Sequence, residues 1–482
     1  MKVKSIAKNA IFNVIYKSLN VIFPLISSAY VARVLKPMGV GKVAYAQNIV
    51  TYFILIAALG LPTYGLREIS KNRENLEKRS KIFSELFILN FISTIICLLI
   101  YLLLIFNIKK FYNELSLYII MAILLAFNWI NIDWLYQGIE DFGYIAIRSI
   151  LIKILSLICL FIFIKNESDY QKYALIICLS TGGNYFFNII HSHKYVKFCI
   201  KDLNILRHIK PVIYLLICTI STELYSKIDI TMLGTIHSDM IVGYYSNAQK
   251  IINIIITISV SITTVFLPRL SFLYTRDKKK FNMLVNKGLH IVLIITLPCM
   301  VGIILVAKEI IVILFGNEFL MSTNTVKILS LLIPIKGIGD LLTYQVIVAS
   351  NNEKKLVKSY ILAALLNIIL NIILIPTLKQ DGAAIASVLA EFIVFITLLP
   401  MTLRVIKIKC FFKTLLPIMS SCILMSFSLI LLNMLKVTYY SQLIMKVTVG
   451  IIVYFVILIL FKDSFIMEVL DILKRKVKKN DV

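Results

Sequence analysis

Apolar residues run through this chain in long stretches, each about the length of a bilayer crossing, separated by short segments that hold most of the charge and turn residues. Read this way, the pattern places helices at 9–31, 43–62, 82–106, 115–137, 143–164, 173–190, 211–232, 241–267, 284–306, 325–350, 357–378, 382–403, 412–434 and 440–461. The first run opens as a signal peptide could. Its interior holds Asn13, Lys17 and Asn20, and it exceeds the length of a signal core, so a retained helix is expected.

Composition supports the same picture. Of 482 residues, 59% are apolar and 16% charged, and the mean hydropathy is +0.89. Soluble domains carry about 45–50% and about 25%. The expectation is an all-α integral membrane protein with 14 transmembrane helices. The net charge of +26 would suit nucleic-acid binding in a polar chain, but so apolar a sequence excludes that partner.

The placement of basic residues orients the chain. Of the 51 Lys and Arg, 33 fall at the two termini and in the connections after even-numbered helices, 11 in those after odd-numbered helices and seven inside spans. The positive-inside rule then puts both termini in the cytoplasm. Six cysteines lie in spans, while Cys199 and Cys410 lie in cytoplasmic connections, so none occupies an outer loop where a disulfide would form.

An internal repeat organises the spans. Val40-Gly-Lys-Val-Ala-Tyr-Ala-Gln-Asn-Ile49 and Val242-Gly-Tyr-Tyr-Ser-Asn-Ala-Gln-Lys-Ile251 agree at five of ten positions, 202 residues apart, and each opens an even-numbered helix. That offset covers six helices, so the halves share one orientation. The expected division is a six-helix lobe over 1–208, a second over 209–408, and two trailing helices with a basic tail over 409–482. Parallel repeats of this kind are a transporter plan, with cargo bound between the halves.

Three stretches resemble the lipid-linked oligosaccharide flippases of polysaccharide biosynthesis, in the multidrug/oligosaccharidyl-lipid/polysaccharide exporter superfamily. They are Leu35-Lys-Pro-Met-Gly-Val-Gly through Ala57-Ala-Leu-Gly-Leu-Pro-Thr-Tyr-Gly-Leu-Arg-Glu68, Asp133-Trp-Leu-Tyr-Gln-Gly-Ile-Glu-Asp-Phe-Gly-Tyr-Ile-Ala-Ile-Arg148, and Lys227-Ile-Asp-Ile-Thr-Met-Leu-Gly234 with Val242-Gly-Tyr-Tyr-Ser. The resemblance implies two lobes around a cationic cavity in a bacterial cell (inner) membrane. It also implies a polyprenyl-pyrophosphate oligosaccharide, such as an O-antigen or capsule repeat unit, carried to the outer leaflet. Its partners would be membrane lipid and the polymerase and glycosyltransferases of the pathway.

The residues make their own case for charge at membrane depth. A Lys or Arg at the centre of a span costs about 2.5–3.5 kcal/mol, so it faces a wet cavity or a counter-ion. Asn13, Lys17 and Asn20 share one face of helix 1, and Lys250 heads a stripe with Asn253, Thr257 and Ser261 in helix 8. Lys153 lies deep in helix 5 with no obvious partner. Arg148, in the same helix, is within reach of Asp133 or Glu140, so a structural ion pair competes with cargo binding there. Lys227 follows Glu223 by four residues in the order that favours pairing. The candidate substrate-binding set is therefore Lys17, Lys153, Lys227, Lys250, Arg148, Asn13 and Asn20. Lys446, on a trailing helix, is expected to matter less.

Four carboxylates are candidates for ion coupling: Glu223, Asp229, Asp340 and Glu391. Lys336 and Asp340 repeat the four-residue spacing, whereas Glu391 has no partner nearby in sequence. An unpaired buried carboxyl holds its proton more tightly and can carry it. No cofactor is expected. Gly39-Val-Gly-Lys42 lacks the spacing of a phosphate-binding loop, and His191-x-His193 has no third ligand placed with it. Trp129 and Trp134 read as packing or interfacial anchors.

Two other functions remain open on sequence alone. A multidrug or cation-coupled extruder of the same superfamily would favour acids over these bases in its cavity. A membrane oligosaccharide polymerase or ligase would need a sizeable outer domain, and the longest outer connection runs only from Ala307 to Asn324.

Overall fold

The computed structural model describes residues 6–264, 266–350, 354–407, 411–435 and 437–471. Side chains are described from Phe23 onward, except at 218, 221–222, 224–226, 262, 264, 268, 354–355, 357 and 411–414. All regular structure among these residues is helical, and the chain forms two compact units that meet at Gly243 and Tyr244.

The first unit holds α1 (Ile6–Ala57), α2 (Leu61–Lys71), α3 (Leu76–Asn107), α4 (Lys109–Tyr112), α5 (Leu115–Ala126), α6 (Asp133–Gly138), α7 (Phe142–Phe163), α8 (Tyr170–Ser192) and α9 (Leu206–Ile236), and the start of α10 (Asp239–Thr264). Within α1 the backbone leaves the helical region at Lys36, φ 59°, immediately before Pro37. Proline disfavours the α conformation in the residue it follows, so the bend falls in the connection expected after the first apolar run. The expected helix over 115–137 is interrupted by a 3₁₀ turn at Phe127–Ile130. There the Asn90 amide donates to the Asn128 carbonyl at 3.0 Å, and the Asn128 amide donates back to Asn90 and Thr94. The Asn90 side chain thus bonds the carbonyls of Asn128 and Trp129 where the helix is interrupted.

The second unit continues α10 and adds α11 (Leu267–Arg276), α12 (Lys278–Phe315), α13 (Ser322–Ser330), α14 (Leu332–Gly339), α15 (Val346–Ala349), α16 (Lys354–Val405), α17 (Phe411–Leu432) and α18 (Tyr439–Leu460). Asp277 caps α12, accepting from the amides of Lys279 and Lys280 at 3.0 Å. The Lys280 amide holds that carboxyl below its usual range. The expected helix over 325–350 is instead α13, α14, a π-helical turn at Asp340–Gln345 and α15. Like α1, α16 bends at one left-handed residue, Lys379, φ 52°. That bend lies in the connection expected between runs 11 and 12.

Ten helical stretches among the described residues are long and apolar enough to cross a membrane. Two of them, Phe23–Lys71 and Lys358–Val405, run to 49 and 48 residues, about twice one crossing. Each unit has its own apolar core, around Phe83, Trp134, Tyr136 and Val212 in the first and around Leu293, Leu341, Met425 and Tyr454 in the second. The contact boundary at 243/244 differs from the repeat boundary at 208/209 by α9, whose partners in the first unit lie on α1 and α2.

Candidate functional site

Three helices of the first unit enclose a cleft of about 190 Å³. Lys153, Ser156, Leu157 and Leu160 line it from α7, and Tyr173, Ile176, Ile177 and Ser180 from α8. Both sets follow i, i+3, i+4, i+7, the spacing that keeps side chains on one helix face. Phe23, Pro24 and Ser27 close the third side from α1, and Thr181 completes the α8 wall. Among the described residues the lining has one cation, Lys153, whose ammonium lies 5.9 Å from the centre of the Phe23 ring. Around it are hydroxyl groups on Ser27, Ser156, Tyr173, Ser180 and Thr181, and among the described residues the lining includes no carboxylate. A wall of this chemistry can hold an anionic or polyhydroxylated group, because the ammonium supplies charge and the hydroxyls donate or accept as required.

A polar ladder continues from the cleft along α8. Asn184, the next turn after Ser180, accepts from Arg148 Nε at 3.1 Å. Arg148 Nη2 lies 3.1 Å from Asp133 Oδ1, which also accepts from Asn188 at 2.6 Å. Arg148 is only 6% exposed, and its guanidinium lies 5.7 Å from the Tyr144 ring. These contacts tie α6, α7 and α8 together, while Arg148 Nη1 is buried with no hydrogen-bond partner among the described residues.

The remaining candidates are dispersed. The side chains of Lys17, Asn13 and Asn20 lie outside the described residues, although their backbone belongs to α1. Lys227 is half-buried on α9, where its carbonyl accepts from Asn48 at 3.1 Å. Glu223 is half-buried one turn earlier, and Asp229 is fully buried. Lys250 belongs to the second unit, where its ammonium donates to Asn247 Oδ1 at 3.1 Å, while Asn253 and Thr257 of the same stripe are exposed.

Two expectations for the carboxylates are corrected in the second unit. Lys336 does not pair with Asp340 on its own helix: its ammonium lies 2.5 Å from Glu391 Oε1 on α16. Glu391 is therefore an ion-paired acid, because the bend in α16 and the packing of α14 bring together residues far apart in sequence. Asp340 opens the π-helical turn and accepts from Thr263 Oγ1 and from Gln345 Nε2, the latter at 2.8 Å. It makes no salt bridge among the described residues. Lys446, expected to be of little consequence, is 1% exposed and bonded to Glu309 of α12, with the Leu305 carbonyl at 3.4 Å.

The reading of single residues missed the hydroxyls of the cleft. Ser156, Ser180 and Thr181 are individually unremarked in an apolar run, and their common signal is that they fall on the same helical faces as Lys153 and Tyr173.

Comparison with known proteins bears on the whole chain. The sequence model of the family described as polysaccharide biosynthesis protein matches residues 6–273. The chain is 26% identical over 400 residues to a protein of Escherichia coli (strain K12) named "Putative O-antigen transporter", covering 81% of this chain and 95% of that one. A Haloferax volcanii protein named "Probable low-salt glycan biosynthesis flippase Agl15" is 25% identical over 183 residues, 37% of this chain and 38% of that one. Among solved structures, "Lipid II flippase MurJ, inward closed conformation" superposes with a TM-score of 0.75 at 21% identity, covering 95% of this chain and all of that one.

Proposed function

Because the chain belongs to the polysaccharide biosynthesis protein family, we propose that it is a flippase that moves a lipid-linked oligosaccharide across the membrane. The observation that carries this reading is the cleft on α1, α7 and α8, whose lining among the described residues holds one lysine, five hydroxyls and no carboxylate. A polyprenyl-pyrophosphate oligosaccharide presents phosphate oxygens and sugar hydroxyls, and both suit that wall. A cationic drug would meet Lys153 as a like charge, which disfavours the multidrug alternative. The names of the Escherichia coli and Haloferax volcanii relatives support a glycan cargo rather than glycan polymerisation.

The architecture that suits this function would have fourteen crossings: twelve from the ten apolar stretches, with the bent helices α1 and α16 each supplying two, and two more from α9 and α10. It would have six-helix lobes over 1–208 and 209–408, trailing helices from 409, and both termini in the cytoplasm. Of the coupling candidates we favour Asp340, which is held by a hydroxyl and an amide and has no salt-bridge partner among the described residues. Transport would then be alternating access driven by an ion gradient, with the polymerase and glycosyltransferases of the pathway consuming and supplying the cargo.

The test is translocation of a labelled polyprenyl-pyrophosphate oligosaccharide in proteoliposomes, read as protection from or accessibility to an external glycosidase. Protein-dependent movement of the label supports the reading. Movement no faster than in empty liposomes, or elongation of the glycan by the protein, overturns it.

A further inference from the structure

The connection between α8 and α9 is held to the rest of the first unit through its main chain. The carbonyl of Tyr195 accepts from Arg79 Nε at 3.0 Å and Nη2 at 2.6 Å. The amide of Lys197 donates to Ser80 Oγ at 3.0 Å, and that of Cys199 to Ser84 Oγ at 2.8 Å. At the far end, the amide of Asn204 donates to Glu85 Oε1 at 2.7 Å. Ser80 and Ser84 are one turn apart on α3, so an extended segment offering every second amide fits along that face. The connection is thus a fixed strap across the first three turns of α3.

What the strap turns outward is both apolar and basic. Phe198 is 51% exposed, and Ile200 and Leu206 are each 77% exposed. Lys194, Lys197 and Lys201 are exposed along the same segment, against one exposed acid, Asp202. Phe198 also joins an aromatic group, with its ring 5.7 Å from Phe87, and Phe87 in turn 5.3 Å from Trp129. Further along α3, from Phe91 to Phe106, the exposed residues are apolar, as Ile96, Leu99 and Leu103 show. That sequence, from an apolar helix face through aromatic rings to lysines, is the profile of a protein surface passing from lipid tails to the headgroup layer.

We propose that residues 194–206 form a membrane-surface strap that binds anionic phospholipid. Phe198, Ile200 and Leu206 would enter the acyl boundary, while the three lysines contact phosphate and glycerol headgroups of net negative charge. The proposal does not depend on the identity of the cargo. Each lysine near an anionic surface favours binding by about fivefold, and zwitterionic lipid offers no such gain. The strap is attached to α3 by backbone groups, so the lysine side chains can be changed without loosening it.

The test uses the full chain in lipid nanodiscs containing trace photoactivatable phosphatidylglycerol or, in parallel, phosphatidylcholine, with cross-links mapped by mass spectrometry. At equal lipid fractions, phosphatidylglycerol is expected to label residues 194–206 at least about fivefold more than phosphatidylcholine. In a chain carrying Lys194→Gln, Lys197→Gln and Lys201→Gln the excess should fall close to one. Equal labelling of the unmodified strap by both lipids, or an excess that survives the triple substitution, overturns the proposal. If the variant does not fold, the unmodified chain at high salt decides. Screening should abolish the excess, and its persistence there counts against the lysines.

Discussion

Lys336 Nζ lies 2.5 Å from Glu391 Oε1, and Asp340, one turn beyond Lys336, is held by Thr263 and Gln345. The ion pair and the hydrogen-bonded acid divide the roles of two carboxylates that sequence spacing had assigned the other way round. Neutralising Asp340 as Asp340→Asn is expected to remove the pH or sodium dependence of transport with folded protein still recovered. Glu391→Gln should instead leave the Lys336 ammonium partly buried without its counter-ion, lowering the yield of folded protein while the protein that does fold keeps its ion dependence. Initial rates across a pH series, normalised to folded protein, separate the two. A flat profile for Glu391→Gln and a normal one for Asp340→Asn would reverse the assignment.

Gly41 and Gly243 occupy equivalent positions of the internal repeat, and each faces main chain too closely for a side chain. A Cβ on Gly41 would lie 1.6 Å from the Asp239 carbonyl oxygen, and one on Gly243 would lie 2.0 Å from that of Pro37. Both obstacles are backbone, which cannot rotate out of the way. Gly41→Ala and Gly243→Ala are each expected to lower the stability of this arrangement by about 1–3 kcal/mol, the usual cost of overpacking. Thermal unfolding in detergent measures the effect, and unchanged midpoints for both variants would mean that the approach is looser than the structure shows.

Asp277 gives a pH dependence whose sign is fixed. Its carboxyl is held below the usual range, chiefly by the Lys280 amide. A depressed carboxyl pKa adds stability above the unfolded value, and the contribution is lost as pH falls through the folded pKa. The start of α12 is therefore expected to lose amide protection, measured relative to the intrinsic exchange rate at each pH, as the solution is acidified through the range in which Asp277 takes up its proton. Asp277→Asn keeps a capping acceptor without the charge, so the pH dependence at Lys279 and Lys280 should disappear in that variant.

The apolar runs were readable in the sequence because a helix facing lipid needs no polar face, and bends such as Lys36-Pro37 announce themselves through proline. The match between 40–49 and 242–251 singled out Gly41 and Gly243, although the reason for glycine emerged only from the approach to Asp239 and Pro37. Tertiary pairing was the hidden part. Arg148 found the Asp133 that hairpin proximity had offered. Lys336 and Lys446 found acids 55 and 137 residues away, on helices whose adjacency no local spacing encodes. The hydroxyls of the cleft were hidden for the opposite reason, because a serine in an apolar helix is unremarkable until two other helices place hydroxyls beside it.

Lys446 shows how such a pair changes an experiment. Its ammonium and the Glu309 carboxylate are both buried, at 1% and 5% exposure, and bonded to one another. Removing one partner strands a charge, at a cost of about 3–5 kcal/mol, whereas replacing both with apolar residues of similar volume is often neutral. Lys446→Met alone and Glu309→Leu alone should therefore lower the unfolding midpoint and the membrane level of the protein. The double variant should recover most of both. If the single variants are as stable as the unmodified chain, the pair is not desolvated in the membrane.

Lys153 carries the heaviest functional claim, because it is the cation of the cleft lining among the described residues, with its ammonium 5.9 Å from the centre of the Phe23 ring. Two unit charges 4 Å apart at an effective dielectric of about 20 interact by roughly 4 kcal/mol, and water in the cleft reduces this. Losing about 1.4 kcal/mol would weaken binding about tenfold. Lys153→Gln is expected to cut oligosaccharide translocation by about that factor at subsaturating cargo, with membrane levels unchanged. Lys153→Arg should retain more activity, since the charge remains while its geometry changes. The control is Ile176→Val, which trims the same wall by one methylene without altering its charge and should transport nearly normally. Lys153→Gln matching Ile176→Val in rate would leave the cleft without an electrostatic role and move the search for the headgroup contact to Lys227 and Lys250.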